Sequence, residues 1–179
     1  MSKICVTGAL GFLGSHLIET CADRGDDVYG IDNFSRGEFN ERIRSELASD
    51  FPIGNYDILD SSDMEEIITD GQFDVIYHFA ALPSHRLALE RPHEYINTDL
   101  MGTANILESA RLCRKKPLIV FASSNKVYGK QECPWKEDKL PQPEGPYAVS
   151  KWASEKLCEM YNTYYDVPCV VLRFHHVCG

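Results

Sequence analysis

Short apolar runs of strand length alternate along this chain with longer segments in which apolar residues recur at helical spacing. The short runs are rich in β-branched residues, and the first is followed by a glycine, as is typical of buried strands that lead into a turn. They predict six strands, over residues 3–7, 27–32, a segment ending near Asp57, 73–79, 117–123 and 167–174.

The longer segments predict helices over residues 12–24, around 40–48, from 61 onward, and over 92–114 and 146–165. Residues 129–146 contain four prolines and no periodicity, which indicates a loop. In the two long helices, the apolar stripe expected to face the core is Ile96, Leu100, Ala104, Leu107 and Ala110 in the first and Ala153, Leu157, Met160 and Tyr164 in the second.

Strands that alternate with helices in this way require a parallel sheet covered by helices on both faces. Since β-α-β crossovers are right-handed, the natural arrangement is a doubly wound α/β fold of the Rossmann type. We expect residues 1–179 to form one such domain.

The composition narrows the possible partners and the compartment. The 18 Lys and Arg residues stand against 27 Asp and Glu residues, a net charge of −9, so we expect no nucleic-acid partner. The seven cysteines include no C-x-x-C pair, which disfavours zinc sites and disulfide frameworks and favours a reducing, cytoplasmic location. Glycines interrupt the apolar stretch 4–18, so we expect no membrane span.

The sequence TGALGFLG follows the first predicted strand and opens the first predicted helix. In a dinucleotide-binding turn at this place, Gly8 would permit the turn, Gly11 would let the backbone approach a pyrophosphate, and Gly14 would let the helix pack on the strand. The helix N-terminus would present its N–H groups to the phosphates. The spacing G-x-x-G-x-x-G is one residue longer than the dehydrogenase form, and a merely structural turn is the alternative.

Asp32 ends the second predicted strand, about twenty residues further on, where a carboxylate can accept hydrogen bonds from both hydroxyls of an adenosine ribose. Its charge would repel a 2′-phosphate, which favours NAD over NADP. Arg36 lies four residues away and offsets part of that repulsion. The alternative for Asp32 is a solvated carboxylate at a strand end.

A second run, YAVSK, places Tyr147 and Lys151 four residues apart on one face of the last predicted helix. A free tyrosine has a pKa near ~10, and we expect the ammonium group and the helix N-terminus to lower it. Ser124 follows a predicted strand, at the rim where such sheets bind ligands, and can share a reacting alcohol with Tyr147. A chance pair on a surface helix and a turn serine are the alternatives.

Together these residues resemble the extended short-chain dehydrogenase/reductase family, in its nucleotide-sugar epimerase/dehydratase branch. The resemblance covers nearly all of the chain. It rests on the TGxxGFLG and YxxxK motifs and on Asp32-Asn33, Asp57-Ile58, His78-Phe79-Ala80-Ala81, Asn97 with Gly102-Thr103, and Ser123-Ser124.

The resemblance implies a tightly held NAD that accepts a hydride from a sugar carbon, usually C4, of a nucleotide-sugar. It also implies a role for each matching position. The pyrophosphate would be bound by Gly8, Gly11, Phe12, Leu13 and Gly14, the adenosine ribose by Asp32 and Asn33, and the adenine by Asp57 and Ile58. Ala80 and Ala81 would line the cofactor, Ser35 and Asn97 would make further contacts with it, and Lys151 would bind the nicotinamide ribose, while Ser124 would bind the sugar hydroxyl with Tyr147 as the base.

Two local features bear on the reaction. Dehydratases of this family carry an acidic residue after the active-site serine or threonine, whereas Ser124 is followed by Asn125 and Lys126, which favours a reaction like that of UDP-glucose 4-epimerase over 4,6-dehydration. His176 stands where the family usually has an asparagine near the substrate. Because adjacent strand residues point to opposite faces, we expect no metal site at His175 and His176.

Members of this family have a second domain that closes over the nucleotide-sugar, and this sequence ends at Gly179. We therefore expect a fragment of a two-domain enzyme, or a protein reduced to its cofactor domain, that binds NAD with weak to moderate affinity and turns over no nucleotide-sugar alone. The two long helices resemble a pair that forms a four-helix bundle in a homodimer. A non-catalytic NAD-binding sensor and an NADPH-dependent keto-sugar reductase are the alternatives.

Overall fold

In the computed structural model, which describes residues 1–35, 47 and 49–177, six parallel strands form one sheet. Their order across the sheet is β3-β2-β1-β4-β5-β6, so the chain reverses its direction of growth between β1 and β4. This is the doubly wound fold expected from the sequence. The strands are β1 (Lys3–Thr7), β2 (Asp27–Asp32), β3 (Ile53–Asn55), β4 (Val75–His78), β5 (Leu118–Ser124) and β6 (Cys169–Phe174).

Helices cover both faces of the sheet. On one face, helix α1 (Phe12–Asp23) packs Ile18 and Cys21 into a core that also contains Leu47. On the other face, residues of α2 (Ser61–Gly71), α5 (Gly102–Leu112) and α6 (Gly145–Tyr165) form a second core around Ile76 and Phe121 of the central strands. Because both faces are covered, the central strands are buried almost throughout.

The predicted helix over 92–114 is divided. It begins as α4 (Pro92–Ile96), passes through a π-helical segment (Asn97–Met101) and continues as α5. A π turn widens the helix and leaves its carbonyls free for other donors, and here the Asp99 carbonyl accepts hydrogen bonds from the hydroxyls of Thr103 (2.5 Å) and Ser154 (3.1 Å). The sequence pattern also missed helix α3 (His85–Glu90) and the 3₁₀ turn at Asn125–Tyr128.

The predicted core-facing stripe of α6 is correct only in part, because Leu157 packs against the core but other residues are buried more deeply. Tyr164 is 73% exposed, and the residues that α6 buries are Ala148, Ser150, Lys151, Ser154, Glu155 and Cys158. Most of these side chains are polar, and each polar one finds a partner: Ser154, for example, donates to the carbonyl of Asp99, and Lys151 to that of Ala122. A search for apolar periodicity cannot find a helix face buried through hydrogen bonds.

The remaining expectations differ only at their ends. The two strands predicted over 3–7 and 27–32 agree with β1 and β2, and the other predicted strands end within two residues of the observed ones. The helix predicted around 40–48 lies outside the described residues except for Leu47, which is helical. Among the helices that the structure describes, none combines the length and the apolar character needed to cross a bilayer.

Candidate functional site

A cleft of about 510 Å³ opens at the carboxyl ends of the strands, where the order of the sheet reverses between β1 and β4. Ligands of doubly wound folds bind at this point, because the loops leaving the two strands diverge to opposite faces. We call it the switch-point cleft. Its lining is Gly8, Gly11, Phe12, Leu13, Gly14, Ile31, Asp32, Asn33, Ser35, Tyr56, Ile58, Phe79, Ala80, Ala81, Leu82, Pro83, Thr98 and Ala122.

The glycine loop forms the floor of the cleft. Gly8 has a φ of 69°, in the left-handed region, and its carbonyl accepts a hydrogen bond of 2.9 Å from the N–H of Gly11. A Cβ on Gly14 would lie 2.2 Å from the Gly8 carbonyl oxygen, so only glycine fits there. Gly11 is the N-cap of α1 and has no side chain, which leaves the free N–H groups at the start of the helix open to an anionic ligand.

Asp32 stands at the end of β2, beside the glycine loop. Its two carboxylate oxygens accept hydrogen bonds from the backbone N–H groups of Leu10 (3.0 Å) and Phe34 (2.9 Å). Each oxygen keeps a second lone pair, so the carboxylate can still accept hydroxyl donors from the cleft. Arg36, expected to offset its charge, lies outside the described residues.

The loops after β2 and β3 are joined by side-chain hydrogen bonds. The amide of Asn33 donates to the carboxylate of Asp57 (2.9 Å) and accepts from the N–H of Ser35 (3.1 Å). Asn33, Ser35 and Ile58 line the cleft, whereas Asp57, expected to contact adenine, does not line it and is connected to it through Asn33. Asn97, also expected to contact the cofactor, is exposed in the π-helical segment and does not line the cleft.

His78 connects the two sides of the cleft through a directed chain of hydrogen bonds. The Ala80 N–H donates to Thr7 Oγ1 (3.2 Å), which lies 2.7 Å from His78 Nδ1, and His78 Nε2 lies 3.1 Å from Thr103 Oγ1. Since the hydroxyl of Thr103 donates to the Asp99 carbonyl, the ring must donate through Nε2 and accept at Nδ1. Burial, with a smaller effect of Lys151, lowers the pKa of His78 to about 3, so the ring is neutral.

The three candidate catalytic residues meet where β5 ends and α6 begins. Ser124 is the last residue of β5 and is buried, and it lies near enough to Tyr147, in the first turn of α6, to lower the pKa of that phenol. Lys151 is 3% exposed, and its Nζ donates to the carbonyl of Ala122 at 3.0 Å. Because Ala122 lines the switch-point cleft, the ammonium group lies directly behind the cleft wall.

The expected lowering of the pKa of Tyr147 by Lys151 is wrong. Burial raises the pKa of Tyr147, the hydrogen bond with Ser124 lowers it, and the charges of Asp99 and Tyr95 raise it, with a net upward direction. The ammonium group of Lys151 donates to the Ala122 carbonyl instead, and burial lowers its own pKa. Helix spacing placed both side chains on one face, but it carries no information about desolvation.

The amino-acid sequence that forms this site matches a known protein family. The sequence pattern of the NAD dependent epimerase/dehydratase family matches residues 4–179. The chain belongs to this family.

Individual members of the family resemble the chain at about one-third identity. UDP-N-acetyl-α-D-glucosaminuronate decarboxylase of Bacillus cytotoxicus is 36% identical over 186 residues, covering 100% of this chain and 56% of its own length. UDP-glucuronate 4-epimerase 1 of Arabidopsis thaliana is 36% identical over 183 residues, covering 99% and 43%. The chain therefore spans about half the length of the curated relatives it matches.

A solved family structure has the same fold. The crystal structure of UDP-glucuronic acid 4-epimerase from Bacillus cereus, in complex with UDP-glucuronic acid and NAD, matches with a TM-score of 0.83 at 34% identity. The match covers 95% of this chain and 55% of that one.

His175 and His176 follow β6, and both are exposed. His175 stacks on Trp135 at 5.5 Å and lies 3.5 Å from the side-chain amide of Asn125. The resemblance implies an asparagine at the position of His176. Among the residues that the structure describes, no group of three or more His, Cys, Asp or Glu side chains is arranged to hold a metal ion.

Proposed function

We propose that this chain is the NAD-binding and proton-transferring part of a nucleotide-sugar 4-epimerase, in which residues 1–179 form the cofactor domain. The observation that carries the proposal is that a cofactor-sized cleft and the candidate proton-transferring side chains adjoin through one strand end. The glycine loop and Asp32 lie on one side, and Ala122, to which Lys151 is hydrogen-bonded, lies on the other. Ser124 and Tyr147 lie near each other, where β5 ends and α6 begins.

The chemistry of the cleft fits NAD. The uncapped start of α1 suits a pyrophosphate, the free lone pairs of Asp32 suit a ribose diol, and Ile58 offers an apolar surface to adenine. We propose that the pyrophosphate lies on Gly11, Phe12 and Leu13, and that the nicotinamide end lies toward Ala80, Ala81 and Ala122. The structure of the Bacillus cereus relative was solved with NAD.

When bound, NAD would accept a hydride from a sugar carbon and return it to the opposite face of that carbon, which inverts its configuration. In the proposed reaction, Tyr147 as the phenolate takes the proton of the sugar hydroxyl as the hydride leaves and gives it back when the hydride returns. Burial disfavours this phenolate, and the positive charge of a bound nicotinamide ring would favour it. The hydroxyl of Ser124, whose hydrogen bond lowers the pKa of Tyr147, holds the phenol in place. Lys151 donates to the cleft wall and would bind the nicotinamide ribose from there.

The surroundings of Ser124 favour epimerisation over 4,6-dehydration. Dehydration needs a further acid to exchange protons at C5 and C6, and the two residues after Ser124 are Asn125 and Lys126. The carboxylate of Glu155, the acid that contacts neighbouring Ser123, is held by Arg173 at 2.7 Å. We propose a nucleotide-linked hexuronic acid as the substrate, since the relatives described above are all named for one.

A decarboxylase is the second candidate, because the Bacillus cytotoxicus relative matches this chain along its whole length. Both reactions begin by oxidising a sugar carbon, so they share the residues described here. Product analysis separates them: the epimerase returns a hexuronic acid of the same mass, and the decarboxylase releases carbon dioxide and a pentose.

The test uses the protein that contains this chain, with UDP-glucuronic acid and UDP-glucose as substrates and NMR of the products. Tyr147→Phe should lower turnover about 100-fold or more while leaving the Kd for NAD within about twofold, because only the transferable proton is lost. Tyr164→Phe removes the same hydroxyl from an exposed ring of the same helix and should change neither. Normal turnover by Tyr147→Phe would contradict the catalytic role of Tyr147 and would favour the alternative function, a non-catalytic NAD-binding sensor.

The 179-residue chain alone provides a second test. We expect calorimetry to detect NAD binding with weak to moderate affinity and no conversion of either nucleotide-sugar. Conversion by this chain alone would overturn the proposal that residues 1–179 are only the cofactor part. Preferential binding of NADPH would favour a keto-sugar reductase.

We further propose a homodimer formed through the two long helical segments, which expose several apolar side chains. Ile96, Met101, Leu112 and Val149 are each 42–49% exposed, as in surfaces that bind a partner. Met101→Glu should shift the sedimenting species from dimer to monomer, whereas a monomeric wild type would contradict this proposal. The described cysteines are free thiols, which favours a reducing compartment such as the cytoplasm.

A further inference from the structure

Asp99 is a carboxylate buried in the π-helical segment, with 1% of its surface exposed. One carboxylate oxygen accepts a hydrogen bond from the N–H of Leu82 (3.0 Å), and the other accepts from the hydroxyl of Ser150 (3.3 Å). Leu82 lines the switch-point cleft. The side chain of Asp99 therefore joins the cleft wall to helix α6.

The hydrogen bond between Asp99 and Ser150 lies next to the candidate catalytic residues of α6. Ser150 is on the first turns of the helix, three residues after Tyr147 and directly before Lys151, and its hydroxyl also lies 2.9 Å from the Tyr147 carbonyl. One turn later, Ser154 donates to the backbone carbonyl of Asp99. Asp99 thus contacts α6 on two successive turns, through its side chain and its backbone. The same part of α6 carries Tyr147 and Lys151, the two candidate catalytic residues of this helix.

The charge of Asp99 acts on the same residues. The pKa of Asp99 is raised overall by burial, although Lys151 and the two hydrogen bonds lower it. The pKa of Lys151 is lowered overall by burial, although Asp99 raises it. Asp99 also raises the pKa of Tyr147. Among the described residues, three other titratable groups interact with Tyr147 or Lys151. They are Tyr95 on α4, His78 on β4 and Cys158 on α6.

We infer that Asp99 is a positioning residue of this site, which holds the first turns of α6 against the cleft wall and provides the counter-charge for buried Lys151. The inference rests on the proposed function, in which Tyr147 and Lys151 face the reacting sugar and the nicotinamide ribose. Its two parts, charge and linkage, can be separated by substitution.

Asp99→Asn tests the charge. An asparagine can accept from the Leu82 N–H through Oδ1 and donate to the Ser150 hydroxyl through Nδ2, since that hydroxyl can donate to the Tyr147 carbonyl instead. The contacts are retained and only the negative charge is lost. Asp23→Asn makes the same change at the exposed end of α1 and is the matched control.

The readout is the ultraviolet titration of Tyr147 in the free protein, obtained by subtracting the Tyr147→Phe spectrum in each background. Removing a nearby negative charge favours the phenolate, so Asp99→Asn should move the titration of Tyr147 to lower pH, whereas Asp23→Asn should not. An unchanged titration in Asp99→Asn would mean that Asp99 carries no charge there and would overturn the counter-charge role.

Ser150→Ala tests the linkage, because it keeps the charge and removes the side-chain bridge. Amide hydrogen exchange over residues 147–155 should become about tenfold faster, while Asp99→Asn should leave it close to wild type. Equal exchange in Ser150→Ala and wild type would overturn the positioning role. Both measurements use the protein without NAD or substrate, so their failure is distinct from a failure of the proposed function.

Discussion

The carboxylate of Asp32 and the backbone N–H of Leu10 are hydrogen-bonded at 3.0 Å, across 22 residues of sequence. This bond fastens the glycine loop to the end of β2, so the side chain that shapes the floor of the cleft is also the one proposed to bind ribose hydroxyls. A substitution of Asp32 is therefore the most direct test of the preference for NAD over NADP.

Asp32→Asn should weaken NAD binding about tenfold or more and raise the affinity for NADP relative to NAD. The substitution removes the charge that repels a 2′-phosphate and places an NH₂ group against one of the two backbone N–H donors. Calorimetry with both cofactors measures the ratio, with Asp23→Asn as the control. An unchanged ratio would assign cofactor choice to another residue.

Gly14→Ala should lower the stability of the fold, whereas Gly11→Ala should weaken NAD binding. The added methyl group on Gly14 would lie 2.2 Å from the Gly8 carbonyl oxygen, so we expect the free energy of unfolding to fall by about 3 kcal/mol. On Gly11 the nearest atom would be 3.1 Å away, and φ is an ordinary −73°. That variant should remain nearly as stable as wild type.

NAD binding should be weakened about tenfold in Gly11→Ala, because Gly11 borders the cleft where the pyrophosphate is proposed to lie. Denaturant unfolding and calorimetry measure the two properties in each variant. Similar loss of stability in both would argue that the loop has no separate ligand-binding role.

Breaking the buried ion pair of Glu155 and Arg173 should destabilise the fold strongly. The two side chains are 8% and 16% exposed, with Arg173 Nη2 2.7 Å from the Glu155 carboxylate. Glu155→Gln leaves the buried guanidinium without its counter-charge, so we expect a loss of about 3 kcal/mol in denaturant unfolding.

Glu159→Gln is the matched control one helical turn further along α6. Glu159 pairs with Lys156, but these side chains are 66% and 57% exposed, so solvent screens their interaction. The expected loss is below about 0.5 kcal/mol. If the two variants lost equal stability, burial would not determine the strength of these pairs.

His78 should make the fold sensitive to acid. Its pKa is lowered in the fold to about 3, so at lower pH the unfolded chain takes up a proton that the folded ring does not. Its contribution to stability is therefore complete above the unfolded pKa of ~6.5 and is lost as the pH falls toward 3, by about 1.4 kcal/mol per pH unit.

Urea unfolding at pH 7, 6 and 5 should show this slope in the wild type and a shallower one in His78→Asn, which has no proton to take up. His16→Gln, at an exposed position on α1, should keep the wild-type slope. Parallel slopes for wild type and His78→Asn would mean that His78 is already protonated in the folded state.

Local patterns predicted the features that depend on neighbours in sequence. Gly8, Gly11 and Gly14 were found because a turn between strand and helix needs them within seven residues, and Asp32 because it ends the next strand. These residues line one cleft. Sequence spacing was a poorer guide where the partner lies far along the chain, as with the buried polar face of α6.

The sequence by itself determined the doubly wound fold, since alternating strands and helices have few ways to cover a parallel sheet. It also determined the family and the identity of the groups available for chemistry. Only the tertiary structure decided how those groups behave. Burial raises the pKa of Tyr147, Ala122 takes the hydrogen bond of Lys151, and Asp99 joins α6 to the cleft wall. Desolvation and long-range hydrogen bonds depend on which segments meet in space, and no local pattern of residues specifies that.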